Sequence, residues 1–172
     1  MDFFTAVSSR RSVRAFRAEA VEQAKLQKIL ESANSAPSAG NLQAYEIVLI
    51  KDKKQKEALA EASNNQKFIA EAPIILVFCA NPMRSSRYNS RGTNLYCIQD
   101  ATIAASYAQL AATALGLSSV WVGAFDESTV SKIINARAVL PIAIIPIGYP
   151  NEEPEKTPRR KISDIVHNEK LP

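Results

Sequence analysis

The amino-acid sequence predicts one domain of the α+β class, because helical and strand-like segments alternate along its 172 residues. Two segments carry most of this prediction. Residues 97–115 keep small or apolar side chains on one helical face and contain a single charged residue, Asp100. Ile74–Ala80 is a fully apolar run of strand length, typical of a central strand covered on both faces. The pattern does not determine the order of the strands.

The N-terminal third is predicted to contain two helices, a loop and a strand. Asp2 can cap a short helix that runs to Ser8. Residues 21–36 form a second helix, because apolar side chains recur there at three- and four-residue spacing before a proline. Residues 35–43 are rich in turn formers, and Tyr45–Ile50 has the composition of a strand.

The middle of the chain contains the segments that precede and follow the long central helix in sequence. Residues 51–63 are predicted to form a charged, alanine-rich helix with its lysines in water, and a short helical piece covers residues 66–71. Residues 81–94 are polar and are predicted to be a surface loop. Gly116 would end the central helix as a C-cap, and residues 118–122 would form a short buried strand.

The C-terminal third should add a helix, a strand and an arm. Asp126 can cap a helix that runs to Ala136. Residues 139–149 are strand-like and contain two prolines, which favours an edge position or irregular pairing. Residues 150–172 are charged and proline-rich before they turn apolar, which indicates either a linker with an anchoring helix or an arm laid on a partner.

Composition and charge exclude several classes of protein. Hydrophobic residues make up 47% of the chain and charged residues 22%, which excludes a wholly disordered or fibrous protein. The net charge of +4 comes from separate basic clusters that no recognised nucleic-acid motif accompanies, so nucleic acid is not an expected partner. The apolar runs are too short to span a membrane and the first residues lack an apolar signal core, so we expect a cytoplasmic location and no membrane partner.

The alanine-rich face of the central helix allows two interpretations. Small side chains recur along it, which lets another backbone approach closely; the alanines are at positions 101, 104, 105, 108, 111 and 112. The helix is then either the centre of a monomeric core or, as we favour, part of an interface with a second copy of the chain.

Few side chains could carry acid–base or metal chemistry. His167 is the only histidine and has no metal-ligand spacing around it. Cys79 and Cys97 also lack such spacing and suit a reducing compartment. The sequence contains neither of the two glycine-rich patterns that bind phosphates, GxGxxG and GxxxxGK followed by Ser or Thr. We therefore predict no metal site and no catalytic side chain, and the sequence favours a cofactor that brings its own reactivity.

Four segments, taken in order, resemble a known family. They are RRSVRAF at residues 10–16, APSAGNLQ at 36–43, GLSSVWVGAF at 116–125, and GYP at 148–150 followed by RRK at 159–161. Their order and separation resemble the nitroreductase family of FMN-dependent flavoproteins over almost the whole chain. The resemblance implies a mixed, largely antiparallel sheet flanked by helices, with the long helix at the core of an obligate homodimer and two FMN sites at its interface.

The resemblance also implies which residues bind FMN. The N-terminal motif, which grips the phosphate, ribityl chain and ring edge in the family, corresponds to Arg10, Arg11, Ser12 and Arg14. Arginine suits a phosphate because its fork donates two hydrogen bonds. The loop that the other subunit lays against the flavin corresponds to Pro37, Ser38 and Asn41.

Further contacts are implied in the second half of the chain. Val122 and Gly123, after Trp121, match the segment whose backbone N–H groups reach the flavin N5 edge. Arg159 and Arg160, with Lys161, match the basic cluster that closes on the phosphate. These contacts complete the arginine set at the phosphate.

Three regions of the chain differ from the family pattern or match it less closely. Ala44 and Tyr45 stand where the family often has Pro-Trp, and Asn65 or Gln66 falls where family members contact the flavin ring. Residues 84–94 and Tyr96 lie where access to the substrate varies among members. The identity of the acceptor therefore does not follow from the resemblance.

The implied activity is the passage of two electrons from NAD(P)H through bound FMN to an oxidised acceptor such as a nitroaromatic or a quinone. Two alternatives come from other classes of protein. A non-enzymatic protein that stores or senses FMN would keep the phosphate cluster without turnover. A dimeric interaction module would use the same arginines as surface charge and would bind no flavin.

Overall fold

The computed structural model of the chain describes residues 1–171; Pro172, the last residue of the predicted arm, lies outside the described residues. The α-helices are α1 (Phe3–Ser9), α2 (Gln23–Asn34), α3 (Lys53–Ala62), α4 (Phe68–Glu71), α5 (Asn89–Arg91), α6 (Cys97–Ala114) and α7 (Glu127–Ile133). The strands are β1 (Tyr45–Ile50), β2 (Ile74–Ala80), β3 (Ser118–Ser119) and β4 (Leu140–Gly148). Shorter turns of 3-10 or π helix cover Ala39–Asn41, Pro82–Tyr88, Gly92–Tyr96 and Ile162–Asp164.

The four strands form one sheet in the order β1-β2-β4-β3, with every strand pair antiparallel. An isolated parallel bridge between Ser12 and Ser119 adds the N-terminal segment to its edge. Helices pack on both faces of the sheet. The predicted α+β class and the largely antiparallel sheet are confirmed.

The central strand β2 divides the core into two layers. Every residue of β2 is buried. Alternate side chains from Ile74 onward pack with α2 and α6, whereas those from Ile75 onward pack with α3, α4 and α7. This alternation follows from the two-residue side-chain period of a strand, and it explains why the run is apolar throughout.

Strand β4 confirms irregular pairing but not an edge position. The register between β2 and β4 shifts between Phe78 and Cys79, and Pro146 pairs with Ile75. On its other side β4 pairs with β3, and Ile144 exchanges backbone hydrogen bonds with Val122 at 3.0 Å. The predicted edge position is therefore wrong, because neighbours on both sides use the hydrogen-bonding groups that the prolines leave.

Three helix caps are those that the sequence predicts. The Asp2 carboxylate accepts a hydrogen bond from the backbone N–H of Thr5 at 3.1 Å, and that of Asp126 accepts from Thr129 at 2.7 Å. Gly116 has a φ of +77°, and it closes α6 in the left-handed conformation that glycine adopts at little cost. The central helix is thus confirmed to within a residue.

The segment between β2 and α6 differs from the sequence prediction. Residues 81–94, predicted to be a surface loop, form consecutive helical turns that lead directly into α6. Asn81 starts the first turn by accepting from the backbone N–H of Arg84 at 3.4 Å, and Pro82 occupies the first helical position. The turns carry mostly polar side chains, so no apolar period marks them as helical.

The alanine-rich face of α6 is buried within the chain. Ala101, Ala105 and Ala108 have no exposed surface and pack in the layer between α6, α2 and the sheet. This corrects the position of a possible interface, because a second copy could not reach these alanines. The surface left for a partner is the opposite side of the helix, where Tyr107 is 40% exposed.

No helix within residues 1–171 combines the length and the apolarity that crossing a membrane requires.

Candidate functional site

The N-terminal arginine motif is fixed against the sheet edge. The backbone N–H of Val13 donates to the carbonyl of Ser119 at 3.2 Å, next to the bridge from Ser12. The amide of Gln109, a buried side chain of α6, donates to the Ser119 hydroxyl at 3.2 Å. The motif therefore has a defined position beside β3 and the C-terminal half of α6.

A cleft of about 440 Å³ opens in front of this motif. Two stretches of chain line it, the N-terminal motif and the beginning of the C-terminal arm; they contribute Val7, Ser8, Arg10, Arg11, Ser12, Arg14, Pro154, Glu155, Lys156, Thr157 and Arg159. A wider cleft of about 980 Å³ adjoins it and shares Arg10 and Arg11. The chain fold thus brings Arg159 to the predicted N-terminal arginines across a sequence separation of more than one hundred residues.

None of the arginines of the cleft forms an ion pair with a carboxylate of residues 1–171, although Glu155 also lines the cleft. The ion pairs among residues 1–171 are Lys25 with Glu22 and Lys53 with Glu57. Partial burial lowers the pKa of Arg10, and the charges of Arg159 and Arg11 lower it further. Like charges held together in this way favour an anion between them, and a phosphate matches the guanidinium fork. The donor set of this cleft therefore fits the phosphate of FMN.

Hydrogen bonds orient two of these arginines. Arg11 donates through Nη1 to the carbonyls of Ser8 at 2.8 Å and Arg10 at 2.9 Å. Arg159 donates through Nη1 to the Thr157 hydroxyl at 2.9 Å. Their remaining N–H groups stay available to a ligand, because a guanidinium has five donors.

The other basic residues that the resemblance assigns to the phosphate differ in whether they line the cleft. Arg160 donates to the backbone carbonyl of Asp164 and does not line the cleft, and Lys161 does not line it either. Arg14 lines the cleft, and its backbone N–H donates to the Glu152 carboxylate. Within one chain, Arg159 is thus the residue of the C-terminal cluster that joins the N-terminal arginines.

The predicted loop of Pro37, Ser38 and Asn41 is held by a buried carboxylate. Asp100 accepts from the backbone N–H of Ala39 at 2.9 Å and from that of Ala44 at 3.2 Å. In the sequence Asp100 is the single charge of an apolar helix, and this role was not predicted for it. A single charge on a buried face was the available signal, since buried carboxylates require hydrogen-bond partners.

The loop and the arginine motif lie at different ends of α6. Asp100 holds the loop and Gln109 reaches the motif, and nine residues separate them. At 1.5 Å per residue they stand about 13 Å apart along the helix axis. The loop lines its own cleft of about 540 Å³ with Tyr96 and the N-terminal half of α6. One chain therefore does not bring Pro37 and Ser38 to the arginine cleft.

The two predicted backbone donors after Trp121 differ in their availability to a ligand. The N–H of Val122 donates to Ile144 within the sheet at 3.0 Å and is not available to a ligand. Gly123 is exposed, and its N–H has no acceptor among residues 1–171. A Cβ on Gly123 would lie 3.3 Å from the Trp121 indole nitrogen, so a side chain would crowd the indole.

Gln66 and Asn65 lie in a tight turn after α3. The Gln66 side chain donates to the carbonyl of Ser63 at 2.8 Å, which ties it to the turn. Asn64 and Asn65 both have a φ of +57°, a conformation that asparagine tolerates better than most residues. Neither Gln66 nor Asn65 lines the arginine cleft.

The sequence is similar to a known protein family and to several of its members. A sequence model described as the nitroreductase family matches residues 7–66 and 61–149. The FMN reductase [NAD(P)H] of Bacillus subtilis (strain 168) is 30% identical, over 95% of this chain and 72% of the relative. A putative NADH dehydrogenase/NAD(P)H nitroreductase of Archaeoglobus fulgidus is 28% identical over 95% of both chains.

Solved structures share the fold. NfrA2 of B. megaterium superposes with a TM-score of 0.92 at 30% identity, over 99% of this chain and 76% of that one. An NADPH:FMN oxidoreductase from Vibrio harveyi, solved in complex with NAD+, has a TM-score of 0.91 at 25% identity, over 98% of this chain and 77% of that one. In these comparisons the similarity extends across nearly the whole chain.

Proposed function

The chain belongs to the nitroreductase family, and on that premise we propose that it is an FMN-dependent oxidoreductase that takes two electrons from NAD(P)H and delivers them to an oxidised small-molecule acceptor. The observation that carries the proposal is the cluster of Arg10, Arg11 and Arg159 around one cleft, with no carboxylate paired to it. Bound FMN supplies the hydride and electron chemistry, which requires no nucleophile from the protein.

The side chains of the site bind and orient the cofactor. Arg10, Arg11 and Arg159 hold the phosphate through charge-assisted hydrogen bonds, and Arg14 closes the rim of the cleft. Ser12 stands on the segment bound to β3, which fixes the distance between the phosphate and the sheet edge. Gly123 provides a backbone N–H at an exposed position without a Cβ, so a planar ring can approach it.

A homodimer completes this site. Pro37, Ser38 and Asn41 lie on the loop at the other end of α6 from the arginines, so a second copy has to supply them to the first. An antiparallel arrangement of two α6 helices about a two-fold axis places the loop of one chain near the arginines of the other. Each of the two sites then contains residues of both chains.

The C-terminal arm is part of the same proposal. Residues 150–171 are almost entirely exposed and carry the apolar side chains of Ile162, Ile165 and Val166 in water. Such a group of exposed apolar side chains is typical of a segment that a partner covers. The beginning of the arm lines the chain's own cleft, and we place its end, residues 160–171, on the partner subunit, with Arg160 and Lys161 close to the interface. We propose that this arm belongs to the same single domain as the rest of the chain.

We also place the protein in the cytoplasm. Cys79 and Cys97 are free thiols and both are buried. Proteins that keep their thiols reduced are typical of that compartment.

Turnover with reduced nicotinamide tests the proposed function. The purified protein, loaded with FMN, should oxidise NADH or NADPH in the presence of a quinone or a nitroaromatic compound. Because donor and acceptor would use one face of the flavin in succession, double-reciprocal plots should be parallel. A protein that binds FMN but oxidises neither donor would be a flavin-storage or sensing protein, and one that takes up no FMN would contradict the proposal altogether.

A further inference from the structure

A second basic cluster lies in the helical turns between β2 and α6. We call it the arginine–tyrosine patch and define it by Arg84, Arg87, Arg91, Tyr88 and Tyr96. The three arginines are exposed, and the two tyrosines are half-buried. The proposed function uses none of these residues.

The patch is attached to the loop that the proposed function lays against the flavin. Arg84 donates through Nε to the carbonyls of Leu42 and Gln43, both at 3.1 Å. Arg87 donates through Nη2 to the carbonyl of Gly40 at 3.1 Å. A Cβ on Gly40 would lie 2.0 Å from that nitrogen, so the loop passes directly against the patch. Any ligand on the patch therefore lies beside the loop.

Contacts join the residues of the patch into one surface. Arg87 donates to the Tyr88 hydroxyl at 3.0 Å, and the rings of Tyr88 and Tyr96 meet edge to face with centroids 5.4 Å apart. Arg91 donates through Nε to the Tyr96 hydroxyl at 2.9 Å, and its guanidinium lies 5.5 Å from the ring centroid. The tyrosines thus hold two of the arginines in fixed orientations at low entropic cost.

The charge of the patch is not neutralised within the chain. None of its arginines forms an ion pair with a carboxylate of residues 1–171. Each guanidinium uses one of its nitrogens for the contacts described and keeps other N–H groups free. The patch can therefore bind a ligand with more than one anionic group.

One residue of the patch, Tyr96, also lines the cleft beside the loop. Tyr96 lines the cleft of about 540 Å³ together with Pro37, Ser38 and Ala39. Arg91 does not line this cleft, but its Nε donates to the hydroxyl of Tyr96, which does. A molecule that places an uncharged ring in the cleft would leave its charged part on the arginines.

We propose that the arginine–tyrosine patch is a subsite for the phosphate groups of the nicotinamide donor, holding them while the nicotinamide ring enters the cleft at the loop of Pro37 and Ser38. The inference rests on the proposed function and deepens it, because it names the part of the chain that recognises the donor. Phosphates suit the patch because three spaced guanidiniums can contact several anionic groups at once. An anionic acceptor shares this chemistry, and the experiment separates the two sources.

The test compares donors that carry different numbers of phosphates. The FMN-loaded wild type, Arg91→Gln, Arg87→Lys and the control Lys54→Gln are assayed with NADPH, NADH and 1-benzyl-1,4-dihydronicotinamide, which has no phosphate. Arg91→Gln removes charge without touching the loop, and Arg87→Lys keeps charge but loses the fork. Binding of NADP+ to each holoprotein is measured separately by calorimetry, and the FMN content of each preparation is recorded.

The expected result is specific to the phosphates. Arg91→Gln should weaken NADP+ binding and raise the KM for NADPH about fivefold, with a smaller rise for NADH, and added salt should reduce the difference. Arg87→Lys should also weaken NADP+ binding and raise the KM for NADPH. Lys54→Gln should match the wild type, because Lys54 lies on the exposed face of α3. The phosphate-free donor should give the same KM with all four proteins.

Other outcomes overturn the inference. Equal KM values for NADPH and equal NADP+ affinities in the wild type and Arg91→Gln would show that the patch does not bind the donor. A change seen only when the acceptor is 4-nitrobenzoate, and not with nitrobenzene, would assign the patch to an anionic acceptor. If the wild type oxidises NADPH and every variant has the same KM for NADPH as the wild type, only this inference fails. If the wild type oxidises no donor at all, the proposed function fails with it.

Discussion

The carboxylate of Asp100 accepts a hydrogen bond from the backbone N–H of Ala39 at 2.9 Å. Its second oxygen accepts from the N–H of Ala44 at 3.2 Å, and the side chain is 2% exposed. One buried side chain thus fixes both ends of the loop that carries Ser38 and Asn41. The position of this loop relative to α6 depends on a carboxylate that has no other recognised role.

Removal of this carboxylate should destabilise the protein. Asp100→Ala leaves two backbone N–H groups without an acceptor, which we expect to lower the free energy of unfolding by about 3 kcal/mol. Asp100→Asn should cost less, because the amide oxygen can still accept from one N–H group. Both variants should bind FMN more weakly, since the loop is no longer fixed. Urea unfolding and flavin titration measure the two effects.

A surface carboxylate provides the control for Asp100. Glu71 is exposed at the end of α4 and has no side-chain hydrogen bond among the described residues. Glu71→Gln should therefore leave the free energy of unfolding and the affinity for FMN unchanged. If Asp100→Ala unfolded at the same urea concentration as the wild type, the loop would have to be held by other contacts.

The exposed side of α6 should form the dimer interface. Tyr107→Asp places a charge where we expect the second copy, so it should shift the dimer toward the monomer in sedimentation and reduce FMN content in parallel. Leu140→Asp is the matched control, because Leu140 is 45% exposed and Tyr107 is 40% exposed. A Tyr107→Asp protein that stayed dimeric and retained its flavin would place the interface elsewhere.

The buried thiol of Cys79 should make stability fall in alkaline solution. Burial in an apolar strand raises the pKa of Cys79 to about 12, compared with 9.0 for an ordinary thiol. Above pH 9 the unfolded chain therefore loses this proton while the folded chain keeps it, and unfolding becomes easier as the pH rises toward 12. The slope attributable to this group should approach about 1.4 kcal/mol per pH unit.

A variant isolates the contribution of Cys79. Cys79→Ala should be less stable than the wild type at pH 8, because the substitution leaves a cavity. The difference in the free energy of unfolding between the two proteins should become smaller between pH 9 and 10.5, because only the wild type loses stability through the thiol. Urea unfolding of both proteins at each pH gives the difference directly. A gap that stays constant across this range would mean that the thiol ionises equally in both states.

Much of the fold could be predicted from the sequence because local patterns determine it. Ile74–Ala80 is a strand with the predicted boundaries, since an apolar run of that length between polar segments has few alternatives. Asp2 and Asp126 cap their helices as predicted, because the capping bond forms between neighbours in sequence. These features require no knowledge of distant contacts.

The features that were missed depend on contacts between distant residues. The turns of residues 81–94 are held by arginine bonds to the loop of residues 40–43, and no local apolar period marks them. The burial of the alanines of α6 depends on how α2 and the sheet pack, and periodicity cannot distinguish that packing from a dimer. For the site, the resemblance implied that the N-terminal and C-terminal basic clusters meet at the phosphate, but only the fold shows that Arg159, and not Arg160, lines the cleft with Arg10.

The central claim is that Arg10, Arg11 and Arg159 bind the phosphate of FMN. If so, Arg10→Ala should weaken FMN binding about tenfold to a hundredfold, since it loses a charge-assisted hydrogen bond of about 1.5–3 kcal/mol. The apoprotein should be as stable as the wild type or slightly more so, because the charges of Arg159 and Arg11 oppose that of Arg10. Lys53→Ala serves as the control, because Lys53 is a solvated lysine of α3 whose ion pair with Glu57 is exposed.

The most direct measurement is a titration of FMN and riboflavin into the apo forms of the wild type, Arg10→Ala and Lys53→Ala, followed by flavin fluorescence. Riboflavin lacks the phosphate. The account predicts that Arg10→Ala loses affinity for FMN alone, that all three proteins bind riboflavin equally and weakly, and that Lys53→Ala behaves as the wild type. Equal FMN affinity in the wild type and Arg10→Ala, or an equal loss for FMN and riboflavin, would contradict the assignment of these arginines to the phosphate.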